Sequence, residues 1–92
     1  MPKKALSTGW WVYILETQRG TLYTGVTTHL LRRWRQHRGE ISGGAKFTRA
    51  QVPLQVVWTL WVRGRSAALK KEAELKRLSR TQKLRLIAGA PE

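Results

Sequence analysis

Four arginines, a tryptophan and a histidine occupy the segment LRRWRQHR, residues 31–38. Arginine binds oxyanions and histidine transfers protons near neutral pH. If the segment is helical, Arg33 and His37 lie four residues apart and stack on one flank. That flank borders the apolar stripe, so partial dehydration makes both residues candidates for chemistry. In the alternative, Arg33 packs its stem on Trp34 and His37 bonds to a backbone carbonyl.

The rest of this helix divides into a buried side and a solvated side. The helical wheel puts Leu30, Leu31 and Trp34 on the buried side. The arginines on the other side are predicted to bind a polyanion in general. The residues expected to project into solvent are Arg32, Arg35 and Gln36.

A glutamate lies among apolar residues on a later helix. Ala68, Leu69 and Leu75 define an apolar stripe, and Glu72 falls near its centre. A buried carboxylate costs several kcal/mol unless it is paired or binds a metal. An ion pair with Lys76 is worth only about 0.2–0.5 kcal/mol on an exposed helix, which does not justify burial. The pattern therefore predicts that Glu72 faces a cation or the basic cluster.

Two tyrosines lie in neighbouring predicted strands. Tyr13 and Tyr23 would face each other on one side of the sheet if Glu16 pairs near Gly20. Gly25, two residues after Tyr23, removes a side chain where the backbone needs close approach, which gives it a structural role. In the alternative, both tyrosines are ordinary core aromatics whose phenols need hydrogen-bond partners.

The elements that must position these residues follow from hydrophobic periodicity and turn chemistry. The predicted class is α+β, an α/β sandwich with a three-stranded, mainly antiparallel sheet flanked by helices. The element order is β-β-α-β-α-α, with strands at 10–16, 21–26 and 54–62 and helices at 29–38, 67–78 and 80–88.

Capping residues and loops set the boundaries of these elements. The predicted helix caps are Thr27 or Thr28, then Ser66, then Ser79 with Gln82 in a capping box. In the third strand one face is expected to carry Val56, Trp58, Leu60 and Val62. The glycine-rich segment 39–53 is predicted to be a long functional loop. Residues 1–8 are expected to be a flexible arm and residues 9–89 a single domain.

Composition narrows the partner class. Lys and Arg total 18 against 5 acidic residues, a net charge of +13 on 92 residues, which favours a polyanionic partner. The basic residues are spread over several elements, so no membrane partner is expected. The absence of cysteine excludes disulfides, cysteine zinc sites and thiol catalysis. With no secretory signal pattern, a cytoplasmic location is expected.

These residues together resemble the GIY-YIG endonuclease superfamily. Trp-Val-Tyr at 11–13 and Tyr-Thr-Gly at 23–25 match its two signature tripeptides in order and spacing, although the first keeps only the tyrosine. Arg33 stands where the family carries its essential arginine, His37 where several members carry a histidine, and Glu72 at the metal-binding glutamate. The segments YTGVTT, GAKFTR and LSRTQKLRLI are similar to those of the small stand-alone bacterial branch.

The resemblance implies a metal-dependent endonuclease that hydrolyses phosphodiester bonds. Glu72 would hold a single Mg²⁺ or Mn²⁺ ion, and Arg33 would hold the phosphate oxygens. Tyr13 would accept a proton from the attacking water, helped by Tyr23, with nearby cations lowering the pKa of its phenol. A proton relay through His37 is the alternative. The implied catalytic residues are Tyr13, Tyr23, Arg33, His37 and Glu72.

The surrounding basic surface is predicted to bind nucleic acid without reading its sequence. The expected partner is DNA, with RNA as the alternative, and the chain would act as a monomer or a weak dimer. A role in DNA repair is suggested by analogy only. Two other functions stay open: a non-catalytic nucleic-acid-binding module, and a basic RNA-associated scaffold. The predicted phosphate contacts are Arg32, Arg35, Arg38, Lys46, Arg49, Lys70, Lys71, Lys76 and Arg77.

Overall fold

A computed structural model describes residues 9–43 and 52–89 of the chain. The predicted arm at 1–8, and Lys46 and Arg49 in the predicted loop, lie outside the described residues. The predicted class and element order are confirmed. The described elements are β1 (Trp10–Thr17), β2 (Leu22–Thr27), α1 (Leu30–His37), β3 (Pro53–Val62), α2 (Arg65–Lys76) and α3 (Arg80–Ile87).

The sheet is antiparallel with strand order β2-β1-β3, so β1 is central. A central strand has neighbours on both edges, and its side chains alternate between the two faces. Residues Val12 to Leu15 of β1 are at most 2% exposed, which means that both faces of the sheet are covered. This explains why WWVYIL is continuously apolar instead of alternating with polar residues.

The core lies between the sheet and α2. Val12 and Ile14 of β1 pack with Ala68 and Leu75 of α2, all of them at most 2% exposed. Because side chains alternate, Tyr13 and Leu15 point to the opposite face, the side of α1. Among the described residues, no helix is long and apolar enough to cross a membrane.

The β1–β2 register differs from the predicted one. Tyr13 lies opposite Gly25, and Tyr23 lies opposite Leu15. The predicted Tyr13–Tyr23 pairing is therefore wrong by two residues, because the turn at 18–20 closes between Thr17 and Thr21 (N–H of Thr17 to O of Thr21, 3.0 Å). A shift of two keeps each side chain on its face, and both tyrosines still share one side of the sheet.

An irregularity in β3 changes which residues share a face. Ile14 pairs with Trp58 and Leu15 with Val56, so Val57 is an extra residue in β3. Such a bulge reverses the alternation of the strand. Val57 and Trp58 both pack against the core. The prediction that Val56 shares a face with Trp58 is wrong, and Val56 instead lines a groove with residues of α1.

The helix starts were only partly predicted. The backbone N–H of Arg32 donates to the His29 side chain (3.2 Å), so His29 caps α1 instead of Thr27 or Thr28. Helix α2 begins at Arg65 after Gly64 with no side-chain cap, which leaves Ser66 inside the first turn. The capping box at the start of α3 is confirmed, formed by Ser79 and Gln82.

Helix α1 is rotated relative to the predicted wheel. Leu31, predicted to be buried, is 64% exposed, whereas His37 is only 3% exposed. The flank that carries Arg33 and His37 faces the sheet because polar partners there satisfy these side chains. On α2 the stripe is also narrower than predicted, since Leu69 is 36% exposed.

Thr24 offers a stability test of the packing on the α2 side. Its hydroxyl is buried and has no hydrogen-bond partner in the part of the chain that the structure describes. Thr24→Val keeps the shape and removes an unsatisfied polar group, so it should raise the free energy of unfolding by about 1 kcal/mol. Urea unfolding measures this. Thr59→Val at an exposed strand position is the control, and a destabilised Thr24→Val protein would contradict the expectation.

Candidate active site

A short hydrogen bond joins the central strand to α1. The Tyr13 hydroxyl and the His37 Nε2 atom are 2.7 Å apart, and both side chains are buried. The Arg33 guanidinium lies close enough to the same phenol to act on its pKa. The tautomer of His37 decides which of the two groups donates, because a neutral imidazole carries its hydrogen on one ring nitrogen only. When that hydrogen is on Nδ1, the phenol donates to Nε2.

Tyr23 completes a cluster of three rings. Its ring centroid lies 5.2 Å from that of His37 and 6.4 Å from that of Tyr13. The Tyr23 and His37 rings meet edge to face, with 68° between their planes. Tyr13, Tyr23, Arg33 and His37 therefore converge on the α1 side of the sheet.

Gly25 allows this arrangement. A Cβ atom at Gly25 would lie 2.5 Å from the Tyr13 hydroxyl oxygen and 2.7 Å from the ring carbon that bears it. The ring of Tyr13 thus lies across the Gly25 backbone, directly opposite in the sheet.

Two hydrogen bonds within the protein hold the Arg33 guanidinium. Its Nη1 atom donates to Gln36 Oε1 (2.9 Å) and to the Gly43 carbonyl oxygen (2.7 Å). Sequence reasoning missed Gln36, which was assigned to the solvated side but is half-buried. The spacing of three residues from Arg33, one helical turn, was the available signal.

Burial has the largest influence on the pKa values of Tyr13 and His37. It raises the pKa of the Tyr13 phenol to about 12, although the hydrogen bond from Arg33 acts in the opposite direction. Burial, with the nearby Arg33 charge, lowers the pKa of the His37 imidazole to about 4. Arg33 thus lowers the Tyr13 pKa as expected, but in the protein alone loss of water outweighs it, so the net shift is upward instead of downward. Both groups are neutral at pH 7.

Glu72 lies at the margin of this cluster. Its side chain is 20% exposed, and Lys76 Nζ is 3.5 Å from its Oε2. The ion pair weighed from the sequence is thus formed, and burial is less complete than predicted. The carboxylate charge still contributes to raising the pKa of Tyr13, so Glu72 is within electrostatic reach of the phenol.

Among the described residues, Glu72 could bind a divalent ion only as a single protein ligand. The described residues contain no group of three or more His, Cys, Asp or Glu side chains that could hold a metal. A single half-buried carboxylate is a hard oxygen ligand, and Mg²⁺ accepts one such ligand when water and phosphate oxygens complete its coordination. Glu72 is therefore compatible with Mg²⁺ or Mn²⁺ bound largely through water and substrate.

The predicted phosphate-binding residues differ in their surroundings. Arg35 and Arg38 are exposed, and both pair with the Glu40 carboxylate: Arg35 Nε is 3.5 Å from Oε1 and Arg38 Nε is 3.4 Å from Oε2. The Arg38 guanidinium also lies 5.8 Å from the Trp34 ring centroid. Lys71 pairs with Glu74 at 3.1 Å. The remaining described members are exposed, namely Arg32, Lys70, Lys76 and Arg77.

Comparison with known proteins agrees with this arrangement. The family model described as the GIY-YIG catalytic domain matches residues 9–85. A UPF0213 protein of Cupriavidus necator is 45% identical over 83 residues, covering 89% of this chain and 87% of its own. A UPF0213 protein of Vibrio cholerae is 45% identical over 85 residues, covering 91% of this chain and 82% of its own.

A solved structure extends the comparison to the fold. The solution NMR structure of a UPF0213 protein from Bacillus halodurans matches with a TM-score of 0.56 and 39% identity, covering 87% of this chain and 83% of that one. The chain therefore belongs to the GIY-YIG family, among the small single-domain proteins of the UPF0213 group.

Gly25→Ala tests the close approach of Tyr13. The added methyl group cannot fit beside the phenol, so the free energy of unfolding should fall by about 1–3 kcal/mol. Chemical denaturation measures the loss. Gly64→Ala is the control, because a Cβ atom there meets nothing within 4 Å. Equal losses of unfolding free energy in the two variants would show that the position of Tyr13 does not require glycine at position 25.

His37 predicts a specific loss of stability in acid. Its pKa is about 4 in the folded protein and ordinarily about 6.5, so between these values only the unfolded chain binds the proton. The contribution of His37 is complete above about pH 6.5 and falls by up to about 3 kcal/mol as the pH drops to 4. Urea unfolding at several pH values checks this. His37→Gln should have a shallower pH dependence, and an unchanged slope would refute the assignment.

Proposed function

We propose that this protein is a divalent-metal-dependent endonuclease that hydrolyses phosphodiester bonds in DNA with weak sequence preference. The observation that carries the proposal is the buried Tyr13–His37 hydrogen bond with Arg33 at the same phenol. This combination supplies an anion-binding cation next to a path for a proton. Membership of the GIY-YIG family supports the same class of activity.

Arg33 would bind the scissile phosphate. Its Nη1 donors are used within the protein, so Nε and Nη2 are the donors left for the substrate. A guanidinium can contact two phosphate oxygens at once and stabilise the negative charge that develops on them. Its half-buried position strengthens this interaction relative to an exposed arginine.

Tyr13 and His37 would move the proton of the attacking water. A phenolate is not available at pH 7, since the pKa of Tyr13 is about 12. The neutral phenol can instead accept the water proton while its own hydrogen passes to Nε2 of His37, 2.7 Å away. The resulting hydroxide forms the bond to phosphorus as the bond to the leaving oxygen breaks. The anionic phosphate offsets the charge of Arg33 and so favours the imidazolium that is formed. Tyr23 would orient the water.

Glu72 would hold the metal ion. A bound Mg²⁺ or Mn²⁺ supplies positive charge that stabilises the phosphate and the leaving oxygen. For Glu72 to bind it, the carboxylate must exchange its contact with Lys76. That contact is a partly exposed pair with an N–O distance of 3.5 Å, of the kind worth at most about 1 kcal/mol.

The basic surface would position the substrate. The exposed members on α1 and α2 can neutralise several phosphates, which makes binding strongly dependent on salt. Contacts to phosphates carry no sequence information, so weak sequence preference is expected. RNA as the substrate, a monomeric or weakly dimeric state, a cytoplasmic location and a role in DNA repair remain predictions from the sequence.

The second candidate is a non-catalytic nucleic-acid-binding module on the same fold. It is favoured by the Glu72–Lys76 pair, which satisfies the carboxylate without a metal. This module would bind with the same salt dependence, but no activity would require Glu72.

Supercoiled-plasmid nicking in Mg²⁺ or Mn²⁺ separates the two candidates. Glu72→Gln and Arg33→Ala should each lower metal-dependent nicking by about 100-fold or more, because each removes charge at the reacting phosphate. Salt-sensitive DNA binding should largely survive in Glu72→Gln. Glu74→Gln is the matched control, since it removes an exposed carboxylate from the same helix.

Nicking that is equal in wild type and Glu72→Gln would exclude Glu72 from the reaction. Tight binding without nicking by the wild-type protein would favour the binding module. Parallel assays on structured RNA distinguish the two nucleic acids.

A further inference from the structure

We propose that Gln36 and the Gly43 carbonyl form a clamp that positions the Arg33 guanidinium at the reacting phosphate. The clamp is defined by the two acceptors of Arg33 Nη1, Gln36 Oε1 at 2.9 Å and Gly43 O at 2.7 Å. The role of the clamp in catalysis rests on the proposed function, whereas the two hydrogen bonds that define the clamp do not.

Both acceptors converge on one nitrogen. Nη1 carries two hydrogens, and two acceptors at these distances use both of them. The two hydrogen bonds to Nη1 thereby restrict rotation of the planar guanidinium. Arginine loses rotamer entropy when its long side chain is ordered. Holding it in place before substrate arrives removes that cost from the reaction.

The end of α1 brings the second acceptor into place. The N–H of Gly39 donates to the Gln36 carbonyl (3.1 Å) and the N–H of Glu40 to the Arg35 carbonyl (3.0 Å). This pair of bonds, with Gly39 at φ 79°, is a Schellman motif that reverses the chain at the helix end. The reversal lets Gly43 return alongside the helix and present its carbonyl to Arg33.

Gly43 is suited to this position for two reasons. Its φ is +105°, a conformation that other residues rarely adopt. A Cβ atom at Gly43 would also lie 2.8 Å from Gln36 Nε2 and 3.3 Å from its amide carbon. A larger residue would therefore push the Gln36 amide, and Arg33 with it, out of position. The two halves of the clamp are packed against each other.

Gln36→Met tests the clamp, because methionine keeps the length of the side chain and removes the acceptor. The first measurement is an NMR pH titration of the two histidines. The Arg33 charge helps to lower the pKa of His37, so release of Arg33 should raise that pKa by about half a pH unit. This measurement requires no nuclease activity, so it stands even if the proposed function fails.

The second measurement is nicking kinetics. Gln36→Met should lower kcat by about tenfold to a hundredfold with little change in KM, because positioning and not general binding is lost. Gln36→Glu keeps an acceptor oxygen for Arg33 and should restore most of kcat. If Gln36 had only a structural role, the Gln36→Met and Gln36→Glu variants would have the same kcat when their thermal stabilities are equal.

Gly43→Ala disturbs the clamp from its other side and serves if Gln36→Met does not fold. It should raise the pKa of His37 and lower kcat in the same direction. An unchanged His37 pKa in a folded variant of either kind would overturn the clamp. A raised His37 pKa in the variants, together with a wild-type protein that never nicks DNA, would support the clamp and reject the proposed function.

Discussion

The hydrogen bond between Tyr13 and His37 is the interaction on which this side of the molecule depends. It ties the central strand to α1 through two buried polar groups that would each be costly without a partner. It also explains the rotation of α1, because satisfied polar groups can face the sheet while Leu31 faces water. The same bond that completes the packing creates a path for a proton.

Burial and charge act against each other within this cluster. Removing water from Tyr13 raises the pKa of its phenol more than the Arg33 guanidinium lowers it. For His37 both effects act in one direction, since burial and the arginine charge each disfavour the imidazolium. The result is a neutral phenol beside a neutral imidazole at pH 7, so neither ring carries a charge in the protein alone.

Glu72 is the charged, partly exposed carboxylate at the margin of this cluster. It lies on α2, whose packing on β1 and β2 makes the core, and it already contacts Lys76. A partly exposed pair is easily exchanged for an ion, whereas a deeply buried one would not be. The loose environment of this carboxylate is therefore consistent with a ligand that arrives together with its water and its phosphate.

The order of elements, the antiparallel sheet and the capping box of α3 were readable from local patterns, because period, turn chemistry and spacing act over a few neighbours. The set of candidate site residues came from the resemblance to the GIY-YIG family, since local patterns explained each tyrosine, Arg33 and His37 equally well by packing. The β1–β2 register, the extra residue at Val57, the rotation of α1 and the contact of Gln36 with Arg33 were not readable from local patterns. Each of these depends on which distant groups satisfy one another. The direction of the Tyr13 pKa has the same origin, since burial is a property of the folded molecule and only tertiary structure decides how much water a side chain loses.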